Sequence, residues 1–273
     1  LLPFWLSISL LSLSQGAVVA LPRFPAREAL MRLRGRRWAV IPPLSVIAFV
    51  FLTRAAEHAS AQGLTYLALV GVPVLAALAL GWLSAGARPL RSLLVLPLFA
   101  LSWADQANLP GQLAALALSA LSCVALGALI AAVTPRRWLA GGIVAMAVAD
   151  TTLVALELLQ RPNNALNAAH PVAKLPRLQD AAVGSAVMGY GDLFIAAALG
   201  GLLAVSAAAP GGRAQARAAA LAALLAVTFD LLFFFVKELP ATVPVALTLI
   251  LLCVSGARAR AARAPGGRPG GAS

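Results

Sequence analysis

Apolar residues in this chain follow neither the helical nor the strand period; they run on in long blocks separated by short polar connections. Nine such blocks cover residues 1–21, 38–52, 64–84, 90–104, 112–133, 138–160, 181–209, 218–236 and 240–254. Most approach the ~20 residues a helix needs to cross a hydrocarbon core of ~30 Å. In lipid only a helix or a closed barrel satisfies its own backbone groups, and unbroken apolar runs lack the alternation of barrel strands. The pattern therefore predicts an all-α membrane protein of about nine transmembrane helices. These form a single polytopic domain over 1–256, with the first five helices in 1–133 and the sixth to ninth in 138–256. Residues 257–273, rich in Gly, Ala, Arg and Pro, are expected to be a disordered basic tail held near anionic lipid.

Charge adds an orientation. Lys and Arg number 21 against nine Asp and Glu, a formal net charge of +12. In a soluble chain that excess points to nucleic acid. Here the arginines sit in the connections, with no basic stripe interleaved with aromatics, and no nucleic-acid partner is expected. Arg23, Arg27, Arg32, Arg34, Arg36, Arg37, Arg88, Arg91, Arg136, Arg137, Arg213, Arg217, Arg258, Arg260, Arg263 and Arg268 fall on one side of the predicted bundle. Arg54, Arg161, Lys174, Arg177 and Lys237 fall on the other. The positive-inside rule then puts the N-terminus outside and the C-terminus in the cytoplasm, with Trp38 and Trp138 as interfacial anchors. Arginine and alanine enrichment, compact loops and the lack of an N-glycosylation sequon fit a prokaryotic cytoplasmic membrane. Cys123 and Cys253 lie inside apolar blocks, and His58 and His170 lack a third ligand, so no disulfide framework, metal or cofactor is expected.

Acids at membrane depth are expensive and turn toward the bundle interior, which makes Asp150, Glu157, Asp192 and Asp230 functional candidates. Depth sorts them. At 1.5 Å per residue Asp150 lies about 15 Å inward from Gln160, and Asp192 lies about 16 Å inward from Ala181 on the next predicted helix. Both helices meet the outer side at the 161–180 connection, so the two carboxyls are expected at matching depth. Two such groups sharing one proton can activate water: one takes a proton from it, the other donates to a peptide carbonyl as it becomes tetrahedral. Asp230 sits about 18 Å from Ala218, also near mid-depth.

Local sequence adds two features. Val187-Met188-Gly189-Tyr190-Gly191-Asp192 flanks Tyr190 with glycines beside the acid, and Lys237-Glu238-Leu239-Pro240-Ala241-Thr242-Val243-Pro244 opens the last block with two prolines. Taken alone, the first is ordinarily a packing device and the second a helix start. Broken backbone at depth is otherwise tolerated where it lines water.

An Asp in the sixth block, GxGD in the seventh and a Pro-Ala motif opening the ninth resemble the intramembrane aspartyl proteases of the presenilin and signal peptide peptidase family. The GxGD segment is similar to that of its microbial members, and Lys174 to Asp180 is similar to the stretch ahead of GxGD in signal peptide peptidases. The likeness covers the second half of the chain; residues 1–133 match in helix number alone. Ala149 stands where the family usually has tyrosine, and Thr242 where it has leucine. The resemblance implies a nine-helix bundle in which Asp150 and Asp192 are the catalytic pair of an intramembrane endopeptidase. It also implies that Gly189, Tyr190, Gly191, Leu239, Pro240, Ala241 and Thr242 shape the substrate site. The expected partners are the bilayer and a substrate transmembrane helix with a cytosolic N-terminus, such as a remnant signal peptide.

Two alternatives stay open. Prepilin peptidases also use GxGD followed by small residues, here Ala196, Ala197 and Ala198, although Phe194 stands where they usually carry lysine. A proton- or cation-coupled transporter would use Asp150, Asp192 and Asp230 together.

Overall fold

The computed structural model describes residues 3–23, 32–206, 213–236 and 238–263. It is mostly helical. Helix α1 spans Phe4–Ala20, α2 Ile41–Ala55, α3 Glu57–Leu78, α4 Val95–Ala104 and α5 Leu109–Val133. Helix α6 spans Arg136–Ala155, α7 Gln160–Ala168, α8 Tyr190–Ser206, α9 Arg213–Asp230 and α10 Val243–Arg263. Strands β1 (Asp180–Val183) and β2 (Ala186–Gly189) form an antiparallel hairpin just ahead of α8.

By length and composition five segments among the described residues can cross a membrane: Arg36–Ala55, Ala59–Leu83, Leu109–Val133, Arg136–Ala155 and Arg213–Phe234. Four more apolar helices, Phe4–Ala20, Pro89–Ala104, Tyr190–Val205 and Val243–Ser255, are shorter. The exterior is that of a membrane-embedded protein. Phe51, Leu67, Leu90 and Phe235 are each more than two-thirds exposed, while Gln15, Ser119, Ser122 and Thr242 are sequestered inside.

Helix α5 is the hub. Two-thirds of its most apolar window is buried, about twice the share in any other long span. Its inward face is built from small residues, Ala114, Ser119, Ser122, Ala125, Gly127, Ala128 and Ala131, and it packs most extensively against α8. Without a hydrophobic force between helices in lipid, such close backbone approach supplies the packing. Gly127 and Gly201 make the approach reciprocal. A Cβ at Gly127 would collide with the Ala197 backbone, and one at Gly201 would lie 2.5 Å from the Gly127 carbonyl oxygen. Helix α1 packs chiefly along α9, and α6 lies between α2 and α8.

Three expectations are corrected. The block 181–209 is not one helix: its first nine residues, to Gly189, form the hairpin, turned by Gly184 at φ +59 and Ser185 between paired Val183 and Ala186. A short apolar strand buried in protein looks like helix to any hydrophobicity pattern, and β1 is held against α5 and α1. Second, the sixth block ends at Ala155, where Glu157 takes a left-handed turn (φ 55) and the polar helix α7 begins. Third, α10 continues to Arg263, seven residues into the segment expected to be disordered. Alanine and arginine are strong helix formers, and Ala257 to Arg263 contains nothing else. Residues 264–273 lie outside the described part, as do Arg27 and Lys237 of the charge count and the side chains of His58, Arg258, Arg260 and Arg263.

Candidate active site

The helix corrections move both candidate aspartates. Asp150 lies five residues from the end of α6, about 7.5 Å of helix rise, and Asp192 is the third residue of α8. Gln160 and Ala181, the helix ends from which matching depth is expected, belong instead to α7 and β1. The two acids lie near the ends of packed neighbouring helices that are joined through the 156–189 segment.

Both carboxyls line one cavity of about 790 Å³. Asp150 is buried, and its Oδ2 accepts a 2.7 Å hydrogen bond from Thr242 Oγ1. Asp192 Oδ2 accepts from the Gly189 N–H at 3.2 Å. That is half of a capping box: an acid at the third helical position reaching back to the N-cap amide, where the helix dipole also favours negative charge. Helix capping is thus a structural task that Asp192 performs whatever its chemistry.

The two glycines of GxGD differ. A Cβ on Gly189 would lie 3.1 Å from Asp192 Oδ2, tight enough to displace the carboxylate, whereas one on Gly191 would meet only Met146 Cε at 3.5 Å. Tyr190 anchors the start of α8 to α5, with its hydroxyl 2.7 Å from Ser122 Oγ and its carbonyl accepting from the Cys123 thiol.

Of the Pro-Ala segment, Leu239 and Ala241 line the cavity with Gly189, Tyr190 and Gly191, while Pro240 and Thr242 are buried behind it. Thr242, the departure from the leucine of the family motif, is the residue that touches Asp150. Asp230 lines the same cavity, and its Oδ2 accepts from Ser12 Oγ at 2.7 Å, an interhelical bond between α1 and α9. Glu157 is exposed at the end of α6 and takes no part in the cavity lining.

Reading by segment missed residues of the N-terminal half. Ile8, Ser12 and Gln15, one face of α1, line the cavity. The available signal was Gln15 itself, a side chain costly in a membrane helix and spaced three residues from Ser12. Asp180 and Glu238 also contribute to the lining. Outside the spanning helices, burial pushes the Asp180 carboxyl above its ordinary range, and the Arg177 guanidinium, 2.6 Å away, pulls it back only in part. Five of the nine acids in the chain therefore line this cavity, and none of its 21 lysines and arginines is among the described lining residues.

No family model, curated protein or solved structure matches this chain.

Proposed function

We propose that this protein is an intramembrane aspartyl protease of the presenilin and signal peptide peptidase type, hydrolysing peptide bonds within single transmembrane helices. One observation carries the reading. Asp150 and Asp192, from separate but packed helices, open on a shared cavity, and the Thr242 hydroxyl of the Pro-Ala segment donates to the first of them.

In this mechanism the pair holds a single proton between its two carboxyls, because two anions so placed in a poorly solvated site repel. The ionised member draws a proton from a water in the cavity while the protonated member donates to the scissile carbonyl. Cleavage requires a helix to unwind, since its amides are bonded internally. Strand β2 supports that step: Val187, Met188 and Gly189 line the cavity, and among the described residues no strand but β1 pairs with β2, which leaves its other edge for an extended substrate in this proposal.

All nine apolar segments are membrane passes in this proposal, with the N-terminus outside and the C-terminus in the cytoplasm of a prokaryote. Substrates are then helices with cytosolic N-termini, signal-peptide-like in kind, and no cofactor takes part.

The test is cleavage of a fluorogenic signal-peptide-like helix by purified protein. Asp150→Ala and Asp192→Ala are each expected to abolish it; retention of cleavage in both ends the proposal. Asp230, in the same cavity, favours one second reading, a proton- or cation-coupled transporter. Ion flux in proteoliposomes that vanishes with Asp230→Ala, in a chain that cleaves nothing, would establish it.

A further inference from the structure

Gln15 on α1 is 1% exposed, in a half of the molecule that carries no motif. Its amide nitrogen bears two hydrogens, and each has an acceptor. Nε2 donates to the Ala241 carbonyl at 2.8 Å and to the Asp192 carbonyl at 3.4 Å. These oxygens belong to the two segments that hold the carboxyl pair. Asp192 carries one acid itself, and Ala241 immediately precedes Thr242, whose hydroxyl donates to the other acid, Asp150. One amide group thus ties the start of α8 to the broken backbone ahead of α10.

The need for such a tie is visible in the sequence. Pro244 brings no N–H to the first turn of α10, and the Ala241 oxygen three residues before it takes a donor from another helix. The tie is also firmly based. Helix α1 is fixed on one side of Gln15 by the Ser12 to Asp230 bond. On the other, Gln215 Nε2 donates to the carbonyls of Val19 and Pro22 at 3.1 and 3.0 Å.

We infer that Gln15 is a positioning residue of the active site: it sets the spacing of Asp150 and Asp192 by clamping the Asp192 and Ala241 backbones together. Its effect on rate rests on the protease reading; its effect on geometry does not.

The full chain, purified in detergent, gives two readouts. In a chain with Cys123→Ser, Cys253→Ser, Asp150→Cys and Asp192→Cys, a short bifunctional thiol reagent measures how readily the two positions meet. Adding Gln15→Leu is expected to lower the cross-link yield several-fold. Adding Gln215→Leu, which loosens the far end of α1 and a bond to the Gly200 carbonyl far along α8 but touches neither the start of α8 nor the Ala241 segment, is expected to leave it nearly constant. In the native-dyad chain, Gln15→Leu is expected to lower kcat about ten-fold or more at near-constant KM, since small misplacements of reacting groups are costly. Gln15→Met keeps the unbranched length, removes both donors and carries the same expectations, should the leucine variant be recovered poorly. An unchanged cross-link yield, or equal losses from Gln15→Leu and Gln215→Leu, overturns the assignment. A wild-type chain that cleaves nothing while the cross-link falls as expected overturns the protease reading and leaves the positioning role intact.

Discussion

The two halves of the molecule meet at one cavity but bring different things to it. Helices α6 to α10 carry every motif residue: both candidate catalytic acids, the GxGD turn and the Pro-Ala segment. Helices α1 to α5 carry none, yet they hold those residues in place. Ser122 grips Tyr190, Gln15 grips Asp192 and Ala241, Ser12 grips Asp230, and Gly127 lets α8 lie against α5. The difference teaches that the proposed chemistry is written in short local patterns, whereas its alignment is distributed over side chains that form no pattern at all.

The sharpest way to break the comparison is chemical. Asp150→Asn and Asp192→Asn are each expected to lower kcat on a helical peptide by about a thousand-fold, while leaving KM nearly constant. A loss matched by either half's neutral substitutions would erase the division of labour. Next in size is a blow to the scaffold. Gly127→Val forces methyl groups into the Ala197 backbone and is expected to destabilise the fold by about 3 kcal/mol. Reduced recovery and a lowered melting temperature in detergent would register it, with kcat per folded molecule little changed.

A smaller effect separates the two glycines of the motif. Gly189→Ala crowds the Asp192 carboxylate and is expected to cost about ten-fold in kcat, whereas Gly191→Ala stays within about two-fold. Similar losses for both would mean that chain flexibility, not room beside the acid, is what the motif preserves.

The smallest effect concerns the hairpin, outside the spanning helices. Arg177→Leu strands the buried Asp180 and is expected to lower stability by about 1 kcal/mol, discounted because Arg177 is partly exposed. Burial holds Asp180 above its ordinary value, so it binds its proton more tightly folded than unfolded. Its contribution is therefore greatest below the unfolded value and is lost as pH rises through the folded one. Asp180→Asn is expected to flatten that decline in melting temperature measured across about pH 4 to 7.

Legibility varied by element. The helices α2, α3, α5, α6 and α9 could be found from run length alone, because exclusion of water leaves a long apolar segment no other way to pair its backbone groups. The hairpin could not, since Ala181 to Gly189 leads with no charged residue into the helix that follows and is shielded by α5 and α1 rather than by its own pattern. Asp150 and Asp192 were visible as misplaced charges, although their depths were reckoned from helix ends at Gln160 and Ala181 that the structure moves. Thr242 was noticed as a deviation before its bond to Asp150 gave that deviation a contact.

What the amino-acid order determined by itself is the membrane character, the helical blocks and the positions of the acids, all properties of neighbouring residues and their cost in lipid. Only the tertiary structure decided which acids share a cavity, which carbonyls Gln15 serves and where a helix gives way to strands. The physical reason is that a buried polar group is settled by whatever donor or acceptor faces it across the interface, and that partner lies up to 226 residues away along the chain.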